Sequence, residues 1–200
     1  MNDIENTNTP LHVLLIEDSE NDALLVVRTL HQGGYDLTYE RVQTPEAMRA
    51  ALDRQAWDIV IADYSMPRFS GPAALKLMQN SGLDLPFIVV SGTIGEQVAV
   101  SMMRAGAHDY LMKDNLARLV PAVRRELREA QVRRAHQQAE AALQASEERF
   151  RRMAEGIRDG LTIIENGQVA YVNDRMCEIL GRSREELYQT TGLDIADPEE

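Results

Sequence analysis

Cysteine is nearly absent: Cys177 stands alone among 200 residues, which excludes an internal disulfide and any metal site built on several thiolates. A reducing compartment fits. Long apolar runs are missing as well, since nothing approaches the roughly 18 residues of a membrane span. Residues 1–10 are polar and acidic and lack the basic start and apolar stretch of a secretory signal. The expectation is a cytoplasmic chain with a disordered tail over 1–10 and no membrane segment. Net positive charge is lacking too, at −11 overall. Yet Arg118, Arg124, Arg125, Arg128, Arg133, Arg134, Arg149, Arg151 and Arg152 crowd one stretch. Glu126, Glu129, Glu140, Glu147 and Glu148 interleave with them at helical pairing distances, so the stretch reads as a solvated helix face and no nucleic-acid partner is expected.

What is present is the balance of a globular protein, 44% hydrophobic and 26% charged. The length suits one ordinary domain plus part of another. Between Leu11 and Leu119 short apolar runs alternate with amphipathic segments, the mark of an α/β fold with a parallel sheet. Strands are expected at Leu11 to Ile16, Leu37 to Val42, Ile59 to Ala62, Phe87 to Val90 and Asp109 to Leu111. The first, third and fourth are almost continuously apolar, as suits strands covered on both faces. Helices are expected at Glu20 to Gln32, Thr44 to Gln55, Gly71 to Asn80 and Gly95 to Ala105. Thr44-Pro45 supplies a cap with proline at the first helical position, and Gly33-Gly34 and Gly106 stop helices.

After Leu116 the sequence predicts one long helix, free of proline beyond Pro121 and of glycine before Gly156. Val120, Val123, Leu127 and Ala130 keep a heptad spacing. Ala135, Ala139, Ala142, Ser146 and Met153 continue it in a shifted phase, the pattern of a weak coiled coil with a stutter that a homodimer would use. From Leu161 the period becomes strand-like: Leu161 to Ile164, a turn at Glu165-Asn166-Gly167, then Gln168 to Val172, a hairpin signal. A helix over Arg175 to Leu180 closes at Gly181, and Ser183 with Glu186 forms a capping box.

In an open α/β sheet ligands bind outside the carboxyl ends of the strands. Those ends carry Glu17 and Asp18 after the first strand, Asp63 after the third, Ser91 after the fourth and, soon after the fifth, Lys113. Carboxylates so close raise one another's pKa unless a cation stands between them, and an all-oxygen donor set suits Mg²⁺ better than zinc. With the cation in place one carboxylate can attack a phosphoryl donor, while Lys113 offsets charge on the transferring oxygens and Ser91 donates a hydrogen bond.

The segments LHVLLIEDSEND, IVIADYSMP, FIVVSGT and GAHDYLMK resemble, in order and spacing, those of two-component response-regulator receiver domains, over about residues 11–125. The resemblance implies a five-stranded doubly wound parallel sheet of the flavodoxin-like kind. It implies Asp63 as phosphoacceptor, with Mg²⁺ held by Glu17, Asp18, Asp63 and the main-chain carbonyl of Ser65. Ser91 and Lys113 would contact the phosphoryl oxygens, and Ser91 with Tyr110 would form the switch pair. The partner implied is a sensor histidine kinase or phosphotransfer protein. Two positions depart from the family pattern: Gly92 stands where alanine is usual, and Asp114 where a proline follows the lysine, so the family's cis bond is not expected here.

Ser146 to Arg151, Gly160 to Val172 and Asn173 to Gly181 resemble the opening of a PAS domain, so an incomplete PAS-like segment is expected over 156–200, joined to the receiver by a linker helix over 116–155. A whole PAS domain needs about three more strands to close its sheet, and the chain reads as part of a longer signalling protein. His136 lacks the acidic-basic pair that follows a kinase's phosphorylated histidine and reads as an exposed helical residue. Cys177 reads as a small buried residue. Two rivals compete: an aspartyl-phosphate phosphatase similar to haloacid dehalogenases, with Asp18 as nucleophile, and a flavodoxin-like binding module, whose phosphate the acidic loop after the first strand would repel.

Overall fold

The computed structural model describes residues 8–92 and 95–192. It separates into two units, residues 1–135 and 136–200. The first holds β1 (Thr9–Ile16), α1 (Glu20–Gln32), β2 (Tyr35–Val42), α2 (Pro45–Arg54), β3 (Ile59–Asp63), α3 (Gly71–Asn80), β4 (Phe87–Ser91), α4 (Glu96–Arg104) and β5 (Asp109–Met112). All five strands are parallel, in the order β2-β1-β3-β4-β5. The direction of winding therefore reverses between β1 and β3, the point where open sheets bind ligands.

Alternation within the strands builds two cores. Leu14 and Ile16 of β1, Val60 and Ala62 of β3, and Phe87 and Val89 of β4 pack with Met48, Leu75 and Met102 of α2, α3 and α4. The intervening residues Val13, Leu15, Ile59, Ile61, Ile88 and Val90 face the other way, under Val27 and Leu30 of α1. Each such Leu, Ile or Phe, removed wholly from water, contributes about 1.5–3 kcal/mol before the entropy of ordering is subtracted. Ser19, Thr44 and Ser70 cap α1, α2 and α3 with their hydroxyl oxygens.

Three expectations shift. Strand β1 starts at Thr9, so Thr9 and Pro10 belong to the sheet and not to the expected tail: the Thr9 N–H donates to the Gly34 carbonyl at 2.9 Å, and Pro10 near a strand start costs little pairing. Residues 1–7 lie outside the described residues. The long helix begins later than Leu116: a 3-10 turn, Lys113–Arg118, bent at Asn115, precedes α5 (Leu119–Gly156). Val120, Val123, Leu127 and Ala130 are not a coiled-coil seam. Val123 is buried in the core beneath α1, Val120 and Leu127 pack against it, and Ala130 is buried too. Farther along α5, Arg133 donates to Asp84 Oδ1 at 3.0 Å and Arg134 to the Asp84 carbonyl at 2.6 Å.

In the second unit β6 (Thr162–Glu165) and β7 (Gln168–Val172) form an antiparallel hairpin. Asn166 and Gly167 both have positive φ, 52° and 82°, as the two-residue turn demands. Then come α6 (Asp174–Leu180), ended by Gly181 at φ 63°, and α7 (Arg184–Tyr188), with the capping box at Ser183 and Glu186. Its apolar core is small: Val169, Val172 and Leu187 are buried, with Met176, Cys177 and Leu180 half-buried against them. Polar bonds do the remaining joining. Asn173 is fully buried; its Oδ1 accepts from the Leu161 and Met176 N–H groups, and its Nδ2 donates to the carbonyls of Ala154 and Asp159. Glu155 accepts from the Tyr171 hydroxyl, the Asp174 N–H and the Arg184 guanidinium.

Candidate functional site

The carboxyl ends of β1 and β3, adjacent in the sheet, bring Glu17, Asp18 and Asp63 together, with one oxygen of each within 4.8 Å of the others. Glu17 and Asp63 are buried and Asp18 is exposed. The loop carrying the first two is pinned from β2, where Arg41 Nη1 donates to the carbonyls of Glu17 and Asp18 at 3.1 and 3.2 Å. The Ser19 N–H donates to Glu17 Oε1 at 3.0 Å, and the Ser65 N–H to Asp63 Oδ1 at 3.4 Å. Glycine is required behind this end of the sheet: a Cβ on Gly71 would stand 2.9 Å from the Asp63 carbonyl oxygen and 3.0 Å from Tyr64 Cα.

Lys113 reaches in from the end of β5. Its Nζ lies 2.9 Å from Glu17 Oε2, 2.5 Å from Asp22 Oδ2 and 3.2 Å from Asp63 Oδ2. Burial works against the ammonium's charge, but hydrogen bonds to Asp22 and Glu17 and the charges of Glu17 and Asp63 outweigh it and hold Lys113 above the ordinary lysine value. Burial also lifts the Glu17 carboxyl above the usual carboxylate range; the hydrogen bonds from Lys113 and Ser19 oppose the shift and the nearby Asp63 adds to it. A buried acid pushed toward its neutral form beside a second carboxylate is a site short of positive charge. Three carboxylates of this spacing, all oxygen donors, fit a hard divalent cation such as Mg²⁺.

Ser91 ends β4 fully buried, and Tyr110 lies half-buried in β5, packed against the core formed with α2, α3 and α4. In the sheet register Asp63 pairs with Val90, the residue before Ser91, and Tyr110 pairs with Val89, so Ser91 lies at the carboxyl end of the strand beside β3 and Tyr110 one strand farther out. Thr93 of the sequence motif lies outside the described residues. No cis peptide occurs among the described residues, in keeping with Asp114 after Lys113. Among the described residues a Cβ on Gly92 would find only Lys113 Cδ, at 3.8 Å, an ordinary contact. Sequence reasoning passed over Asp22. It reads as an ordinary first-turn acid of a capped helix, and only its place four residues after Asp18, on the helix start beneath the strand ends, signalled a shared site.

Among known proteins, residues 13–124 match the family of response regulator receiver domains, and residues 148–200 match a PAS domain family. The chain is 35% identical over 106 residues to the response regulator protein FleR of Pseudomonas aeruginosa, covering 53% of this chain and 22% of that protein. It is 31% identical over 124 residues to the response regulator MprA of Mycolicibacterium vanbaalenii, covering 58% of this chain and 52% of that protein. It therefore spans about half or less of these relatives. A Francisella response regulator receiver domain superposes with a TM-score of 0.53 at 20% identity, over 60% of this chain and 98% of that one. A receiver domain from Clostridium thermocellum gives 0.54 at 22% identity, over 61% and 98%. These two establish the fold. No helix among the described residues is long and apolar enough to cross a membrane.

Proposed function

The chain belongs to the response-regulator receiver family, and from that membership we propose that it is a phosphoacceptor module in which Asp63 takes a phosphoryl group from a histidine kinase or phosphotransfer protein. The observation that carries this reading is the Lys113 ammonium 3.2 Å from Asp63 Oδ2, beside three clustered carboxylates. An Asp63 carboxylate oxygen attacks the donor's phosphorus, a new O–P bond forms, and the donor's bond to phosphorus breaks, its electron pair leaving with the donor. Glu17, Asp18, Asp63 and the Ser65 carbonyl would hold Mg²⁺, which when bound neutralises charge on the transferring oxygens. Lys113 donates to one phosphoryl oxygen and Ser91 to another, and Tyr110 follows Ser91 inward. The added charge of about −1.5 to −2 gives the strand ends a new set of contacts to satisfy.

The signal leaves through α5 toward the PAS-like segment. On α5, Ala139, Leu143, Ser146, Phe150 and Met153 are exposed at alternating spacings of four and three residues, a heptad seam suited to a second copy of the chain. Sedimentation of Leu143→Glu beside the unaltered chain tests that seam. The single cysteine is in keeping with a reducing cytoplasm.

The site itself is tested with acetyl phosphate and Mg²⁺, mapping acid-labile phosphate by mass spectrometry. Phosphate on Asp63, lost in Asp63→Asn and much reduced in Asp18→Asn, is expected. Phosphate on Asp18 would instead favour an aspartyl-phosphate phosphatase, and its absence from a folded, Mg²⁺-binding chain would overturn the phosphoacceptor reading.

A further inference from the structure

Lys113 makes its shortest contact with neither Asp63 nor Glu17 but with Asp22, at 2.5 Å against 3.2 and 2.9 Å. Asp22 stands at the third position of α1, where its own N–H bonds the capping hydroxyl of Ser19 at 3.3 Å. A helix start, rather than a loop, therefore sets where its carboxylate lies. It is outside the trio of Glu17, Asp18 and Asp63, so a cation bound to that trio relieves Glu17 of its need for Lys113 but leaves Asp22 its hold.

An ammonium has three N–H donors. Two are hydrogen-bonded here to Glu17 and Asp22, and the Asp63 contact is the longest of the three. The third N–H faces Asp63 from that longer distance, and a phosphoryl oxygen on Asp63 competes with Asp22 for the position of the ammonium. We propose, resting on the reading of Asp63 as phosphoacceptor, that Asp22 is a restraining partner of Lys113: phosphoryl transfer includes the handover of one lysine hydrogen bond from Asp22 to a phosphoryl oxygen. No proton changes owner; Lys113 stays an ammonium and only its acceptor changes. Asp22 touches neither phosphorus nor donor, and is a positioning residue that sets how much of the lysine's charge reaches the transferring group.

The sign follows from charge. Asp22→Asn keeps the shape and removes a negative charge from the path of an anionic donor while freeing Lys113. The expected effect is phosphorylation about three- to tenfold faster, the size of one unit charge a few ångströms away in a partly solvated site.

The experiment uses the full chain with acetyl phosphate and Mg²⁺, comparing the unaltered protein with Asp22→Asn, Asp22→Glu and, as a second neutral variant, Asp22→Ala. Phosphate on Asp63 is timed by mass spectrometry. The Lys113 side-chain ammonium is followed by ¹⁵N NMR without metal or donor, a readout that needs no turnover. Melting temperatures check that each variant folds. A faster rate in the neutral variants, a shifted Lys113 signal and a return to within about twofold of the original rate in Asp22→Glu support the restraint. If folded neutral variants keep the original rate, or the Lys113 signal does not move, the restraint is overturned while the Asp63 reading stands. If the unaltered chain takes no phosphate on Asp63, that reading fails first and the restraint falls with it.

Discussion

The two units of this chain solve the same problem with opposite materials. The receiver unit buries two apolar layers, one on each face of its sheet. The C-terminal unit has a cluster of only three buried apolar residues among those described, Val169, Val172 and Leu187, and relies on Asn173 and Glu155 to join its pieces. Apolar packing is spread over many side chains, each worth a share; a polar junction concentrates the same task in one or two that cannot be replaced. In the receiver the vulnerable residues should be large and apolar. In the C-terminal unit the most vulnerable one should be an asparagine.

The largest effect is expected from Leu14→Ala, which empties a fully buried position in the interior strand β1 and should cost about 3–5 kcal/mol in urea unfolding of the receiver unit. Amide exchange in the hairpin should hardly change. Next comes Asn173→Ala, which removes four side-chain hydrogen bonds, those to the Leu161 and Met176 N–H groups and to the Ala154 and Asp159 carbonyls, the Met176 N–H alone keeping the residue-173 carbonyl, at about 2–4 kcal/mol for the C-terminal unit. It should exceed the cost of Val169→Ala in the same unit. A larger loss from Val169→Ala would sink the contrast.

Within the receiver, Gly71→Ala sharpens the difference between its core and its site. The added methyl meets backbone at Asp63 and Tyr64, so one of the two must move. About 1–3 kcal/mol of stability should go, together with a several-fold slower phosphorylation of Asp63 in the acetyl phosphate assay. Unchanged kinetics with reduced stability would mean that the loop moves without the carboxylate.

Acid should separate the units by smaller amounts. Burial, aided by Arg133, holds the His108 ring below its ordinary value of 6.5. Its contribution to folding is full above pH 6.5 and is lost as pH falls through that value toward the depressed one, because the unfolded chain takes the proton first. The Asp174 N–H, with Tyr171 and Arg184, holds Glu155 below the usual 4.5, so the C-terminal unit keeps that contribution until pH drops below about 4.5. Glu17, lifted by burial, opposes the His108 trend in the receiver, since its folded form keeps a proton the unfolded chain releases. The His108 part is therefore read as the difference between the original chain and His108→Gln. Amide exchange from pH 7.5 to 4 should show that difference confined to the receiver; equal loss in both units above pH 5 would break the comparison.

The same contrast explains what could be read from the sequence. Strands β1, β3 and β4 and the helices over them announce themselves because apolar periodicity is the signal that a two-layer core leaves behind. Glu17, Asp18, Asp63, Ser91 and Lys113 could be placed together because strand ends in such a sheet converge on one side. Asp22 was hidden because a first-turn acid is common in any capped helix. Asn173 and Glu155 were hidden because a polar residue that satisfies distant backbone groups has no period of its own. The start of α5 was misread for a related reason: a heptad spacing does not distinguish packing on a sheet from packing on another helix, and Val120, Val123 and Leu127 serve the sheet.

The smallest effect is expected where the chain departs from its family without need. Gly92 stands beside Lys113 with space for a methyl at an ordinary contact of 3.8 Å. Alanine there should stabilise the receiver by about 0.4–1 kcal/mol, chiefly by reducing the freedom of the unfolded chain. The added methyl would also narrow the room in which the lysine stem moves. If Lys113 must swing from Asp22 to a phosphoryl oxygen, Gly92→Ala should slow phosphorylation slightly while raising the melting temperature. Should both rise together, the glycine contributes only looseness, and the freedom of Lys113 is set by Asp22 alone.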